Sequence, residues 1–162
     1  MKKNVLTLLA GLTMSAAQAA NYGVVDYEKL MLSSTYLQSQ QASLDQAIKA
    51  PSAQAQQLQK DLAAIQQKAD TEKLSEAEKN KMSADFQKKV AQLNALQQEI
   101  QTKAQTTMQA TKTTFETRVA TAAEQLRKEN KLDLVLNKSA VLASESNADL
   151  TDKLIQKVNA VK

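Results

Sequence analysis

The chain has 162 residues, with 21 Lys and Arg against 17 Asp and Glu, three Tyr, two Phe, no Trp, two Gly, one Pro, and neither His nor Cys. Lacking His and Cys, it can assemble no disulfide, no common zinc site and no His-assisted nucleophile. Its one glycine beyond residue 19, Gly23, leaves no glycine-rich phosphate loop, so no enzyme, metal or cofactor is expected.

The first nineteen residues read as a secretory signal peptide. Lys2 and Lys3 form a positive n-region, Val5 to Met14 a short apolar core, and Ala17-Gln18-Ala19 a small-x-small site with cleavage between Ala19 and Ala20. The apolar run is about half of the roughly 20 residues a membrane span needs. No cysteine follows it, so lipid attachment through a thiol is excluded. Residues 20–162 are expected to be soluble, outside the cytoplasm and close to neutral at +2, with the surplus of +3 confined to residues 75–131. An exported chain of this size without disulfides draws stability from assembly.

Tyr22-Gly23-Val24-Val25 is a short β-prone run, and Asp26 suits the cap of a helix starting at Tyr27. Downstream, Leu44, Ile48, Pro51, Ala55, Leu58, Leu62, Ile65 and Ala69 alternate steps of four and three, the spacing of a coiled-coil seam that extends back to Leu37 and Leu30. Pro51 has no amide hydrogen and its ring clashes with the preceding turn, which predicts a kink or break near Lys49 and Ala50.

Ser75 followed by Glu78 has the pattern of a capping box, which places a hairpin tip near Lys73 and Leu74, within residues 70–76. The alternative is one uninterrupted helix. A second seam then runs through Met82, Phe86, Val90, Leu93, Gln97 with Leu96 beside it, Ile100, Ala104, Met108, Thr111, Phe115, Val119, Ala122 and Leu126. Consecutive steps of four from Ile100 to Met108 and from Thr111 to Val119 shift its phase. Thr106, Thr107, Thr111, Thr113 and Thr114 fall there, so the descending helix is expected to deform most easily in that stretch.

Near the end, residues 132–136 and 140–143 read as two strands of a β-hairpin around Asn137-Lys138-Ser139. Asp149 caps a last helix over about 149–161, with Leu150, Leu154, Val158 and Val161 on one face. The expected fold is mainly α with a small β part. A long antiparallel coiled-coil hairpin, the arm of residues 44–126, is inserted in a small strand-plus-helix body made of residues 20–43 and 127–162.

Glu76 and Glu78 sit in a helix's first turn, where negative charge favours the dipole, and two residues apart they face different ways. Lys79, Lys81, Lys88, Lys89, Lys103 and Lys112 give the descending helix its surplus. They read either as a solvated face with intrahelical pairs such as Asp85 with Lys89, or as a basic wall for acidic partners or anionic lipid. Nucleic acid is not an expected partner, because the surplus is modest and no aromatics interleave with it. Met82 and Met108 read as seam or as contact surface for a bound chain. Leu74, at the turn, is expected to lie uncovered.

The Tyr22 to Val25 strand, the helical hairpin with Leu74-Ser75-Glu76 at its tip, Leu132-Asp133-Leu134-Val135-Leu136, Ala140-Val141-Leu142 and the Asp149-Leu150-Thr151 helix resemble the Skp/OmpH family of periplasmic chaperones. The resemblance implies a homotrimer whose strands build a central body, with Val24, Val25, Leu134, Val135, Leu136, Val141 and Leu142 at the interface. It further implies three arms around a cavity that holds unfolded outer-membrane proteins without ATP. Contact with lipopolysaccharide or another anionic lipid belongs to the same picture. The readings that compete with it are a structural coiled-coil protein of the envelope and a lipid-binding module.

Overall fold

A computed structural model describes residues 20–161, so the signal-peptide reading up to Ala19 lies outside the described residues. Strand β1, Tyr22–Val25, pairs in parallel with β2, Leu134–Asn137, in a register that sets Tyr22 beside Leu134 and Val25 beside Asn137. Parallel neighbours cannot be joined by a tight turn and need a crossover. Here the crossover is a helical hairpin of more than a hundred residues.

The expected β-hairpin over residues 132–143 does not form, because β2 takes β1 as its partner. Asn137 Oδ1 accepts from the Ser139 amide, and the chain turns through one 3-10 turn, Lys138–Ala140. Val141 to Ala143 then runs outside any strand. The edge opposite β2 is met by the last segment: the Leu150 amide donates to the Val24 carbonyl at 2.8 Å, next to an isolated bridge between Val24 and Asp149.

Helix α1, Tyr27–Leu32, starts where Asp26 Oδ1 accepts from the Lys29 amide. It stops after two turns, and α2, Thr35–Thr71, begins on a new cap in which Ser34 Oγ accepts from the Leu37 amide. This joint corrects the expected break at Pro51, since α2 runs unbroken through the proline. Pro51 forfeits one helical hydrogen bond, but it occupies a half-buried seam position between buried Leu44 and Ala55. Packing along a 37-residue helix outweighs that local loss. Two adjacent serines, one closing a helix and the next capping another, are the stronger stop signal.

The tip follows expectation. Helix α3, Glu76–Glu129, opens on a complete capping box in which Ser75 and Glu78 bond each other's backbone amides. Its other end is a Schellman-type stop without glycine. Lys131 adopts φ 51°, the Lys131 amide donates to the Lys128 carbonyl and the Leu132 amide to the Arg127 carbonyl. Helix α4, Thr151–Ala160, starts after Leu150, two residues later than expected, while Asp149 Oδ1 accepts from the Thr151 amide.

One small core ties the base together: Val25, Leu30, Phe115, Ala122, Leu126, Leu150, Leu154 and Val158 bury against one another, with Val24 beside them. Gly23 is needed here for close approach. A β-carbon at that position would lie 2.6 Å from Leu150 Cδ1 and 3.0 Å from Leu132 Cδ1.

Candidate functional site

Two surfaces remain after the core is accounted for, the flanks of the arm and the outer side of the base. The arm is a thin two-helix layer, and its seam buries few side chains completely. From the base outward α3 presents Phe115, Thr111, Thr107, Ala104 and Ile100 toward α2, so the seam steps through Thr107 and not Met108. Met108 is 66% exposed. The expected phase shift between Ile100 and Met108 is therefore absent, because a four-three-four path through Thr107 keeps the stripe facing its partner. The steps of four from Thr111 to Val119 remain, and they coincide with threonine hydroxyls turned back on the helix. Thr113 Oγ1 donates to the Gln109 carbonyl and Thr117 Oγ1 to the Thr113 carbonyl. Such bonds compete with the helical ladder and bend it.

Beside this stretch a cleft of about 510 Å³ opens between α2 and α3, walled by Tyr27, Leu37, Leu44 and Phe115 with Met31 and Met108 at its rim. A second, of about 390 Å³, lies at the tip and includes Ile65, Leu74, Met82 and Phe86. Leu74 is half-buried there, not uncovered as expected, because the turn folds it back between the two helix ends.

The six lysines of the descending helix do not form a free basic wall. Lys79 pairs with Glu76 at 2.8 Å, and Lys103 and Lys112 each reach a carboxylate four residues away at 4.0 Å. Lys89 turns away from Asp85 and crosses to Asp61 on α2 at 3.0 Å. Its hydrogen bond holds the Asp61 carboxyl below the usual range, with Gln57 assisting, and raises the Lys89 ammonium above its own. Among the described residues Lys81 and Lys88 are the two of the six that make no ion pair.

At the root of the arm, the Arg118 guanidinium lies 4.2 Å from the centre of the Tyr36 ring and donates to the Val161 carbonyl. Asn159 of α4 spans the joint between α1 and α2: its Oδ1 accepts from the Thr35 amide and hydroxyl, and its Nδ2 donates to the Ser33 carbonyl. Sequence reasoning missed both. Arg118 and Asn159 lie 41 residues apart in a base whose geometry no periodicity encodes.

The base presents a different chemistry. Tyr22, Leu134 and Leu136 keep between 37% and 40% of their surface exposed, and Leu142 stands fully exposed. Val135 and Val141 are half-buried. Val24 and Val25 are buried within the chain itself, so they do not share a surface with the others.

Behind the sheet, Arg127 grips Glu124 through two hydrogen bonds of 2.8 and 2.9 Å and donates a third to the Leu132 carbonyl. The Arg127 guanidinium, with Lys128 at 3.4 Å, brings the Glu124 carboxyl from 4.5 to about 2. A depressed carboxyl stabilises the fold above its ordinary pKa, and the contribution disappears as pH falls through the folded value. The stability difference between the parent and Glu124→Gln is thus expected to be complete near pH 7, to shrink below about pH 5 and to vanish only once pH falls below about 2. Urea denaturation across that range measures it, and a difference that persists unchanged near pH 2 would assign the loss to packing instead.

No curated protein matches the sequence significantly. Among solved structures, an OmpH-like protein of Caulobacter crescentus CB15, named as a candidate outer membrane chaperone, superposes with a TM-score of 0.67 at 19% identity. The match covers 88% of this chain and 85% of the other, and at that identity it speaks to the fold: a long helical hairpin on a small mixed base. The sequence itself matches the family of outer membrane proteins described as OmpH-like over residues 21–158. That match runs through β1, both helices of the arm, β2 and most of α4, and the chain belongs to the OmpH-like family.

Proposed function

We propose that the protein is an ATP-independent periplasmic holdase that keeps unfolded outer-membrane β-barrel proteins from aggregating. The observation that carries this reading is membership of the OmpH-like family across the base and the whole arm. The surface agrees with it. Shallow apolar clefts at the tip and the root of the arm, separated by Gln-rich and charged flanks, offer many weak contacts and no deep specific one. Several weak contacts held close together give avidity while each stays reversible, which suits a client that must later be released. A β-barrel precursor, with apolar residues at alternate positions and no fixed fold, can engage such scattered sites.

In this reading three protomers associate through Leu134, Leu136, Val141 and Leu142, and their arms enclose the client. Export through the N-terminal segment places the assembly in the periplasm, where no ATP is available to drive release.

Light scattering of an outer-membrane protein diluted from urea tests the proposal. An equimolar assembly is expected to suppress the scattering without nucleotide. Unchanged scattering would leave a structural coiled-coil role, and suppression only in the presence of anionic vesicles would indicate a lipid-binding module.

A further inference from the structure

The seam of the arm is repetitive. Leu58, Leu62 and Ile65 on α2 and Phe86, Val90, Leu93 and Leu96 on α3 are all partly buried, and similar apolar residues recur about every seven positions along both helices. Apolar contacts of this kind change little when one helix slides past the other by a heptad, so they fix the distance between helices better than their register. One polar contact breaks the repetition. Lys89 Nζ donates to Asp61 Oδ2 at 3.0 Å, and among the described residues this is the one hydrogen bond that joins α2 to α3. Both side chains are largely covered, with 23% of Lys89 and 35% of Asp61 exposed, and Gln57 Nε2 steadies the carboxylate at 2.8 Å.

We propose that the Asp61–Lys89 pair fixes the register of the arm. Sliding α3 by one heptad in one direction sets Lys89 beside Lys68 and Asp61 beside Leu96. Sliding it in the other sets Asp61 beside Met82 and Lys89 beside Gln54. Each alternative strands the carboxylate on an apolar residue, and one of them also opposes two ammonium groups. A charged pair flanking an apolar seam is a known way to specify alignment at little gain in stability. The capping box of Ser75 and Glu78 works in the same sense, since a slide of this size moves the turn by half a heptad and dissolves the box. The consequence for the protein is positional: the register decides where Leu74 and Met82 meet at the tip, and so whether the tip cleft exists.

Because the chain has no cysteine, Gln46→Cys and Ala84→Cys place one spin label on each helix, away from the pair and without competing thiols. Double electron–electron resonance on labelled protein diluted with unlabelled protein reads the distance within one chain. The parent is expected to give one narrow distribution. Asp61→Lys and Lys89→Asp are each expected to add a population displaced by about 10 Å, the axial length of seven helical residues, and the double reversal is expected to restore the single peak. Asp61→Asn, which introduces no repulsion, gives the same reading in milder form if a reversal costs helicity by circular dichroism. Single variants with the parent's distribution, or a double reversal as broad as either single, would overturn the proposal.

Discussion

Leu126→Ala is expected to remove about 2–5 kcal/mol of stability, enough to unfold most of a small base, because a leucine with no exposed surface leaves a cavity its neighbours cannot fill. The core around it is thin. Leu30, Leu154 and Val158 are similarly closed off, but they come from two short helices, α1 and α4, that have no other reason to stay together. Leu126 sits where α3 enters the base and packs on its core, so its loss loosens α1, α4 and the sheet in a single step. Met108→Ala, at a position 66% exposed on the same helix, is expected to change stability by less than about 0.5 kcal/mol. Urea unfolding followed by circular dichroism compares the two, and equal midpoints would mean that the base does not limit stability.

That contrast between two residues on one helix also marks how far the sequence could be read. Periodicity identified both arm helices and the tip because these depend on contacts that repeat locally, and the Ser75–Glu78 box is written in four consecutive residues. Met108 was misplaced because Thr107, beside it, could carry the stripe equally well, and only the facing helix decides between them. The base was harder. Leu132 to Leu136 has the composition of a strand, but nothing local says that its partner is β1, more than a hundred residues away, and not the Ala140 to Ala143 run that follows. The stop at Lys131 was invisible for a related reason, since its positive φ is held by two backbone bonds to the helix end and not by a glycine. Pro51 shows the converse, a strong local signal overruled by 37 residues of packed helix.

The lysines illustrate the same limit at the level of function. Composition gave the descending helix a surplus of charge, and the surplus alone could not distinguish a basic wall from a solvated, self-paired face. Four of the six named lysines reach a carboxylate, three of them on their own helix and one across the seam. Where the paired ones point is therefore set by their acidic neighbours, and of the six, among the described residues, Lys81 and Lys88 keep an ammonium uncommitted for a partner of opposite charge.

In the proposed trimer, Leu134→Asp is expected to leave a folded protomer that no longer assembles. Within one chain Leu134 is 37% exposed at the start of β2, so a carboxylate there can keep its water and costs the protomer little. In an assembly that covers this strand the same carboxylate loses its hydration without gaining a partner, a penalty of several kcal/mol or a strongly raised pKa. The distinction from the neighbouring strand is sharp. Val24 is 2% exposed and packs inside the protomer, so Val24→Asp is expected to unfold the base, whereas Leu134→Asp is expected to keep the parent's helicity and sediment as a monomer. Gln98→Asp, on the exposed flank of the arm, is expected to change neither property. Sedimentation velocity at several concentrations, with circular dichroism on the same samples, reads both. A Leu134→Asp protein that remains fully assembled would place the oligomer contact elsewhere on the base, with fully exposed Leu142 the next position to substitute.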